Sequence, residues 1–200
     1  MAKEMVGKKI VNTTADSIAA SAAAVSTGRG LPPVEQWTPP FCGDIDMRIA
    51  RDGTWFYMGT PIGRPALVKL FSGILKREGD AYFLVTPVEK VGIIVDDAPF
   101  VAVDFDVSGT DATQEICFVT QVGDRAIAGP EHPIRVERCA QTGAPAPYVL
   151  IRRNLEALID RKSFYRLVEQ GTHSLVEGKS WFGVWSGGAF FPFIRSEELA

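Results

Sequence analysis

Excess basic charge is absent from this 200-residue chain, because 24 aspartates and glutamates outnumber 21 lysines and arginines and give a formal net charge of −3. Binding along a long nucleic acid requires a sustained basic surface that displaces counterions. The composition therefore excludes a long nucleic acid as the expected partner, whereas it is compatible with a single nucleotide. With 46% hydrophobic residues, the chain can bury the core of one large domain or of two small ones.

Cysteine is scarce as well, with three residues at Cys42, Cys117 and Cys139. Their number is odd, they lie far apart and no two of them form a Cys-x-x-Cys pair, so the sequence predicts neither a disulfide framework nor a zinc site. This cysteine usage is typical of a reducing compartment, and we expect a cytoplasmic protein. No segment approaches the roughly 20 uninterrupted apolar residues of a membrane-spanning helix.

Large apolar residues are rare near the start of the chain. Residues 1–30 are dominated by Ala, Ser and Thr, and in the middle of this stretch only Ile18 and Val25 interrupt the small residues. Lysines precede an Ala-rich run, as they do in a secretory signal, but Asp16 and the scarcity of large apolar side chains argue against that interpretation. We therefore predict a flexible tail over residues 1–30.

A β-hairpin is predicted after a proline-rich, extended segment at residues 31–40. Apolar and polar residues alternate strictly from Ile45 to Ile49, and Asp52-Gly53 is the commonest tight hairpin signal, so two antiparallel strands are expected at about residues 43–59.

The predicted register pairs Arg48 with Tyr57, since Asp52-Gly53 would be a two-residue loop. Arg48, Trp55 and Tyr57 would then share the face opposite the core. Two large aromatic side chains are poor choices for a face open to water, and two interpretations follow. Either the proline-rich segment or the second domain covers them, or they form a stacking surface for a flat ligand whose anionic group Arg48 reaches.

One sequence pattern occurs twice, at residues 62–71 and 159–168. In each copy an Arg follows an Ile by two positions, and apolar pairs three residues apart come next. The copies lie 97 residues apart, nearly half the chain, which favours a duplicated unit. Each copy predicts an amphipathic helix; Pro65 can take the first position of one helix, and Asp160 can cap the other.

The predicted fold class is α+β, with two domains built from a duplicated core of strands, helix and strand. Strand-like segments separated by turn signals lie between the two helices, for example from Phe100 to Val107. We expect an N-terminal α+β domain at residues 31–92. The C-terminal α+β domain, at residues 93–200, is expected to be a strongly bent antiparallel sheet with a helix.

The sequence predicts no catalytic residue, no cofactor and no metal site. Gly178-Lys179-Ser180 resembles the end of a phosphate-binding P-loop, but His173 stands where the first Gly is required. His132 and His173 lack a nucleophile motif that would support a serine triad. Paired carboxylates such as Asp44 and Asp46 suit Mg²⁺, which leaves a metal-dependent hydrolase open as an alternative.

Arg64 and Arg161 lie at helix starts, where the helix dipole disfavours positive charge. Either each arginine fixes the corner between strand and helix, or both belong to a cationic pocket for phosphate or carboxylate groups at the seam between the halves. The candidate ligand-binding residues are Arg48, Trp55, Tyr57, Arg64, Tyr148, Arg152 and Arg161.

Short motifs along the whole chain match one family. They are Leu31-Pro32-Pro33-Val34-Glu35-Gln36-Trp37, Gly43-Asp44-Ile45-Asp46-Met47, Asp52-Gly53-Thr54-Trp55, Pro61-Ile62-Gly63-Arg64, Thr86-Pro87-Val88-Glu89-Lys90, Pro147-Tyr148-Val149-Leu150-Ile151-Arg152 and Leu155-Glu156-Ala157-Leu158-Ile159-Asp160-Arg161. Together they resemble the bacterial family known only as domain of unknown function 1285. The resemblance covers nearly everything after the predicted tail.

This resemblance implies a C-terminal domain loosely similar to pleckstrin-homology folds and a ligand site at the domain interface. It also implies a nucleotide-like ligand and a role in signal transduction or stress response, but it supplies no catalytic residues. We expect a signalling protein to be the partner. We therefore expect a cytoplasmic protein that senses a small anionic, aromatic ligand. The alternatives are a protein-interaction module without a small ligand and the metal-dependent hydrolase.

Overall fold

The computed structural model of the chain describes residues 14–26, 30–110, 113–138 and 142–199. Within these ranges the chain forms three α-helices and fifteen β-strands. It divides into two compact units, Met1–Asp97 and Ala98–Ala200. The predicted α+β class is confirmed.

The N-terminal unit contains a six-stranded sheet and two helices. Its elements are α1 (Ala15–Val25), β1 (Phe41–Ile49), β2 (Trp55–Tyr57), β3 (Thr60–Pro61), α2 (Pro65–Gly73), β4 (Leu75–Glu78), β5 (Ala81–Val85) and β6 (Lys90–Val95). The strand order is β3-β2-β1-β6-β5-β4. Because β6 completes this sheet, the predicted domain boundary between residues 92 and 93 would cut a strand, and the units divide after Asp97 instead.

Helix α1 corrects the prediction of a flexible tail over residues 1–30. Thr14 caps it, because the Thr14 hydroxyl accepts a hydrogen bond from the Ser17 backbone N–H at 3.2 Å. Ile18 and Ala22 lie one turn apart, are fully buried and face α2. The other part of the tail prediction, residues 1–13 and 27–29, lies outside the described residues.

The hairpin of β1 and β2 is present, but its register differs by one residue from the prediction. Arg48 pairs with Phe56 and not with Tyr57. The loop has three residues, 51–53, and its last residue Gly53 has a φ of 83°, as a three-residue hairpin loop requires. A shift of one residue exchanges the two faces of a strand. Phe56 therefore lies on the same face as Arg48, and Trp55 and Tyr57, which were expected there, lie on the opposite face.

The C-terminal unit contains a second six-stranded sheet, a helix and a three-stranded sheet. Its elements are β7 (Phe100–Ser108), β8 (Glu115–Thr120), β9 (Arg125–Ile127), β10 (Ile134–Arg138), β11 (Pro145–Arg152), β12 (Leu155–Ile159), α3 (Arg161–Val168), β13 (Thr172–Val176), β14 (Lys179–Ser186), β15 (Ala189–Arg195) and a 3₁₀ turn (Ser196–Leu199). The large sheet has the order β10-β11-β12-β7-β8-β9, and β13-β14-β15 form the small sheet.

The two six-stranded sheets have the same topology. In each, two three-stranded antiparallel meanders meet at a parallel pair of the first and sixth strands, β1 with β6 and β7 with β12. However, α2 connects the third and fourth strands of its sheet, whereas α3 follows the sixth strand of the other. Helices α2 and α3 therefore hold different positions relative to their sheets. The topology that the two sheets share does not correspond to the predicted repeat unit of strands, helix and strand.

The helices of the described residues are short. The longest, α1, has 11 residues. None of the helices in the described ranges has the length and apolar composition that crossing a bilayer requires.

Candidate functional site

Trp55 belongs to the core of the N-terminal unit. It is 1% exposed, and its ring stacks on Phe71 of α2 with centroids 6.2 Å apart and planes 21° from parallel. The predicted place of Trp55 beside Arg48, on the face opposite the core, is wrong, because the hairpin register pairs Trp55 with Ile49 and turns its side chain inward.

Arg48 lies on the open face of the sheet, as predicted, but its charge already has partners. Its Nη1 lies 2.5 Å from Asp96 Oδ2, and its guanidinium lies 4.7 Å from the centre of the Phe56 ring. The side chains of Arg48 and Asp96 are 40% and 35% exposed. A ligand anion would have to displace this partly solvated ion pair in order to bind Arg48.

Tyr148 in β11 is 5% exposed and packs with Ala98 and Ala146 in the C-terminal unit. The guanidinium of Arg135 lies 4.2 Å from the centre of its ring. Arg135 in turn donates two hydrogen bonds to Glu156, at 2.6 and 2.7 Å, and these raise the pKa of Arg135. One face of the Tyr148 ring is therefore covered by a paired arginine.

Arg152 is also held inside its own unit. Its side chain is 10% exposed, forms an ion pair with Asp124 and lies 4.7 Å from the centre of the Phe100 ring. Burial lowers the pKa of Arg152, and the Asp124 carboxylate opposes that change. This arginine neutralises a neighbouring carboxylate in the sheet, which explains its presence without a ligand.

Arg161 is exposed at the start of α3 and is bound by its own helix. Its guanidinium donates to the Tyr165 hydroxyl from Nε at 3.0 Å and from Nη2 at 2.8 Å. The predicted cap of this helix is confirmed, because Asp160 Oδ1 accepts a hydrogen bond from the Ser163 backbone N–H at 2.7 Å. The pair of Arg161 and Tyr165, four residues apart, fixes the guanidinium over the first turn.

Tyr57 and Arg64 line one groove in the N-terminal unit, with a volume of about 310 Å³. We call it the N-terminal groove. The start of α1, the end of β2, strand β3, the segment before α2 and the start of α2 form its walls, with the lining residues Ala15, Asp16, Tyr57, Thr60, Pro61, Ile62, Gly63, Arg64 and Leu67. This groove was not predicted from the sequence, because one of its walls is α1 and residues 1–30 were predicted to be a flexible tail.

The backbone brings two large side chains, Tyr57 and Arg64, to the N-terminal groove. Tyr57 pairs with Met47, so it lies on the sheet face on which α2 packs. Arg64 precedes α2 with extended backbone angles, φ −108° and ψ 102°, and Pro65 begins the helix as predicted. Among the described residues the exposed Arg64 side chain forms no ion pair and no hydrogen bond. Its charge is therefore available to a ligand.

Asp16 brings a negative charge to the same groove. It is exposed and lies in the first turn of α1, where the helix dipole favours a carboxylate. The N-terminal groove thus offers a guanidinium, a carboxylate and a tyrosine ring, and these groups suit a ligand that has an anionic group, hydrogen-bond donors and a planar part.

A serine and histidine array lies elsewhere, in the C-terminal unit. His173 Nδ1 and Ser180 Oγ each lie 2.8 Å from Ser196 Oγ. A catalytic triad also needs a carboxylate on the second ring nitrogen of the histidine, and no described residue supplies one to His173. The array falls on three separate elements, so no sequence motif indicated it.

The ranges that the structure describes contain no group of three or more His, Cys, Asp or Glu side chains placed to hold a metal ion. Asp44 and Asp46, named in the sequence analysis, both belong to β1.

Comparisons with known proteins agree with the motifs. The domain described as "Domain of unknown function (DUF1285), N-terminal domain" matches residues 32–98, and "Protein of unknown function (DUF1285), C-terminal domain" matches residues 99–193. The search of curated proteins gave no match.

Two solved structures are similar to this chain. A DUF1285 family protein from Silicibacter pomeroyi DSS-3 is 62% identical, with a TM-score of 0.83, covering 91% of this chain and 97% of that chain. A DUF1285 family protein from Shewanella baltica OS155 is 29% identical, with a TM-score of 0.49, covering 62% of this chain and 90% of that chain. The two domains of the family are thus matched in order, at residues 32–98 and 99–193, and the chain belongs to the DUF1285 family.

Proposed function

We propose that this protein is a binding module whose N-terminal groove takes a small nucleotide-like ligand with one anionic group and one planar ring. The observation that carries the proposal is the exposed Arg64 guanidinium, which has no carboxylate partner among the described residues and lines the same groove as Tyr57. A guanidinium binds phosphate or carboxylate through paired hydrogen bonds, and a tyrosine ring offers a face to a base.

The size of the N-terminal groove limits the ligand. Its volume of about 310 Å³ lies at the lower end of the range for ligand pockets. A mononucleotide matches such a volume better than a dinucleotide does.

The charges of the groove narrow the ligand class further. Arg64 attracts an anion, whereas Asp16 repels it and accepts hydrogen bonds from hydroxyl or amino groups. A nucleoside monophosphate has all of these groups and can satisfy both residues, whereas inorganic phosphate can satisfy Arg64 alone. The groove therefore favours a mononucleotide over its phosphate group by itself.

This proposal differs in one respect from the expectation based on the sequence. The ligand site expected from the sequence lies between the two domains, and that location stays a prediction. The N-terminal groove is a different place, since Tyr57 and Arg64 both belong to the N-terminal unit. The role in signal transduction or stress response that the family resemblance implies is part of the proposal. A protein partner would recognise the ligand-bound form of the protein.

Calorimetric titration of the full chain with a panel of nucleoside monophosphates, cyclic nucleotides and inorganic phosphate tests the proposal. We expect saturable binding of at least one mononucleotide. Arg64→Gln should weaken it about 10-fold or more, because a hydrogen bond to a charged group contributes about 1.5–3 kcal/mol. Thermal unfolding of this variant should stay near that of the wild type, because Arg64 supports no other described side chain.

Lys69→Gln is the matched control. Lys69 is exposed on α2 and does not line the N-terminal groove, so removal of its charge should leave nucleotide affinity unchanged. The proposal fails if no member of the panel binds, or if Arg64→Gln and Lys69→Gln have equal effects.

A further inference from the structure

The C-terminal unit contains a second groove, which is apolar and has a volume of about 200 Å³. We call it the C-terminal groove. Phe164 and Val168 of α3, Phe182 of β14 and Phe193 of β15 form one part of its wall. The rings of Phe164 and Phe193 lie 5.6 Å apart. Such a lining favours a hydrocarbon ligand.

The position of Phe182 is fixed by close packing. A Cβ atom at Gly171 would lie 2.1 Å from the tip of the Phe182 ring, so the ring occupies space that only a glycine leaves open. The same ring also makes an edge contact with His173, whose ring centroid lies 5.3 Å away. The aromatic wall of the C-terminal groove is thus preformed.

One cation lies at the mouth of the C-terminal groove. Among the described residues that line it, Arg138 alone carries a charge. Its Nη2 lies 3.8 Å from Glu198 Oε2, and the two side chains are 49% and 53% exposed. Ion pairs of this kind contribute little to stability. Another carboxylate with a closer contact can therefore replace Glu198 at low cost.

The 3₁₀ turn (Ser196–Leu199) places two different groups at this mouth. Glu198 provides a carboxylate to Arg138, and the next residue, Leu199, lines the groove with an aliphatic side chain that is 49% exposed. A short fatty acid presents the same two groups, a carboxylate and an aliphatic chain.

We propose that the C-terminal groove binds an aliphatic monocarboxylate of about six to eight carbons. The ligand carboxylate binds Arg138 in place of Glu198, and its hydrocarbon chain packs against Phe164, Phe182 and Phe193. The size follows from the volume, since about 200 Å³ corresponds to roughly seven groups of the size of a water molecule at about 30 Å³ each. This site is separate from the N-terminal groove, and the proposal does not rest on the proposed function.

Calorimetric titration of the full chain with hexanoate, heptanoate and octanoate tests the proposal directly. We expect saturable binding to one site, with affinity rising about three- to fourfold for each methylene added. 1-Octanol, which has the same chain without the charge, should bind at least 10-fold more weakly. The proposal is overturned if the acids do not bind saturably or if octanol binds as well as octanoate.

One arginine variant and two glutamate variants distinguish ligand binding by Arg138 from a structural role of this residue. Arg138→Gln should weaken octanoate binding about 10-fold or more, whereas Glu198→Gln should strengthen it severalfold because the competing carboxylate is gone. Glu197→Gln is the matched control, since the neighbouring Glu197 does not line the C-terminal groove, and it should change nothing. Equal affinities of the Glu197→Gln and Glu198→Gln proteins would refute the proposal.

Discussion

At the centre of the N-terminal core, Trp55 and Phe71 stack on each other. Whether Trp55 packs or binds a ligand depends on a single residue in a hairpin loop, because one additional loop residue exchanges the two faces of β2. The same register that buries Trp55 leads Tyr57, two residues later, to the N-terminal groove. One local feature thus decides the roles of two aromatic residues.

Replacement of Trp55 should reveal its structural role. Trp55→Ala should lower the free energy of unfolding by about 3–5 kcal/mol, because it removes a fully buried ring and leaves a cavity. Trp55→Phe, which preserves an aromatic contact with Phe71, should cost less. Urea denaturation measures both values. A loss below about 1 kcal/mol for Trp55→Ala would contradict the core position.

Asp16 should control ligand preference in the N-terminal groove. Asp16→Asn removes the charge that repels a phosphate and weakens an acceptor for hydroxyl or amino donors, so the preference for AMP over inorganic phosphate should fall about fivefold. Calorimetric titration with each ligand measures this ratio. Asp80→Asn, at an aspartate that lies outside the groove in the same unit, is the control and should leave the ratio unchanged. An unchanged ratio in Asp16→Asn would remove this residue from the site.

Among the elements, α1 differs most from its prediction. Its apolar stripe consists of Ile18 and small residues such as Ala22, so hydrophobic periodicity is weak although alanine is the best helix former. Packing against α2 decides the outcome. Composition alone does not reveal this contact between α1 and α2, and it therefore predicted a flexible tail.

Truncation of Ile18 tests whether α1 is part of the folded unit. Ile18→Ala should lower the free energy of unfolding by about 2–5 kcal/mol, because Ile18 is fully buried. Val25→Ala, at the partly exposed end of the same helix, is the matched control and should cost less than about 1 kcal/mol. Thermal or urea unfolding of the two variants gives the comparison. Similar small losses in both would indicate that α1 does not stabilise the unit.

The other elements show which signals in a sequence are reliable. The starts of α2 and α3 were predicted from Pro65 and Asp160, because capping depends on the local chain. The hairpin was predicted but its register was not, since an Asp-Gly pair fits both a two-residue loop and the end of a three-residue loop. Local chemistry fixes where an element begins, whereas the pairing of strands depends on contacts along their whole length.

Across the whole molecule, the α+β class and the family could be predicted, because patterning and motifs extend along the entire chain. The candidate site was predicted only in part. Tyr57 and Arg64 line one groove, whereas Arg152 and Arg161 have partners that single-residue reasoning did not identify. An arginine is equally suited to a ligand anion and to a neighbouring carboxylate or hydroxyl, so its role depends on the fold around it.

The parallel pair at the middle of each six-stranded sheet has a consequence for synthesis and folding. Asp44 pairs with Gly92, and Phe100 pairs with Ala157, so each pair joins chain segments separated by roughly fifty residues, and closing such a loop costs entropy. The meanders form from local hairpins, but neither sheet becomes continuous until its sixth strand has left the ribosome. Each six-stranded sheet is therefore closed by the last of its strands to be made, and the N-terminal sheet can close before the C-terminal one has been synthesised.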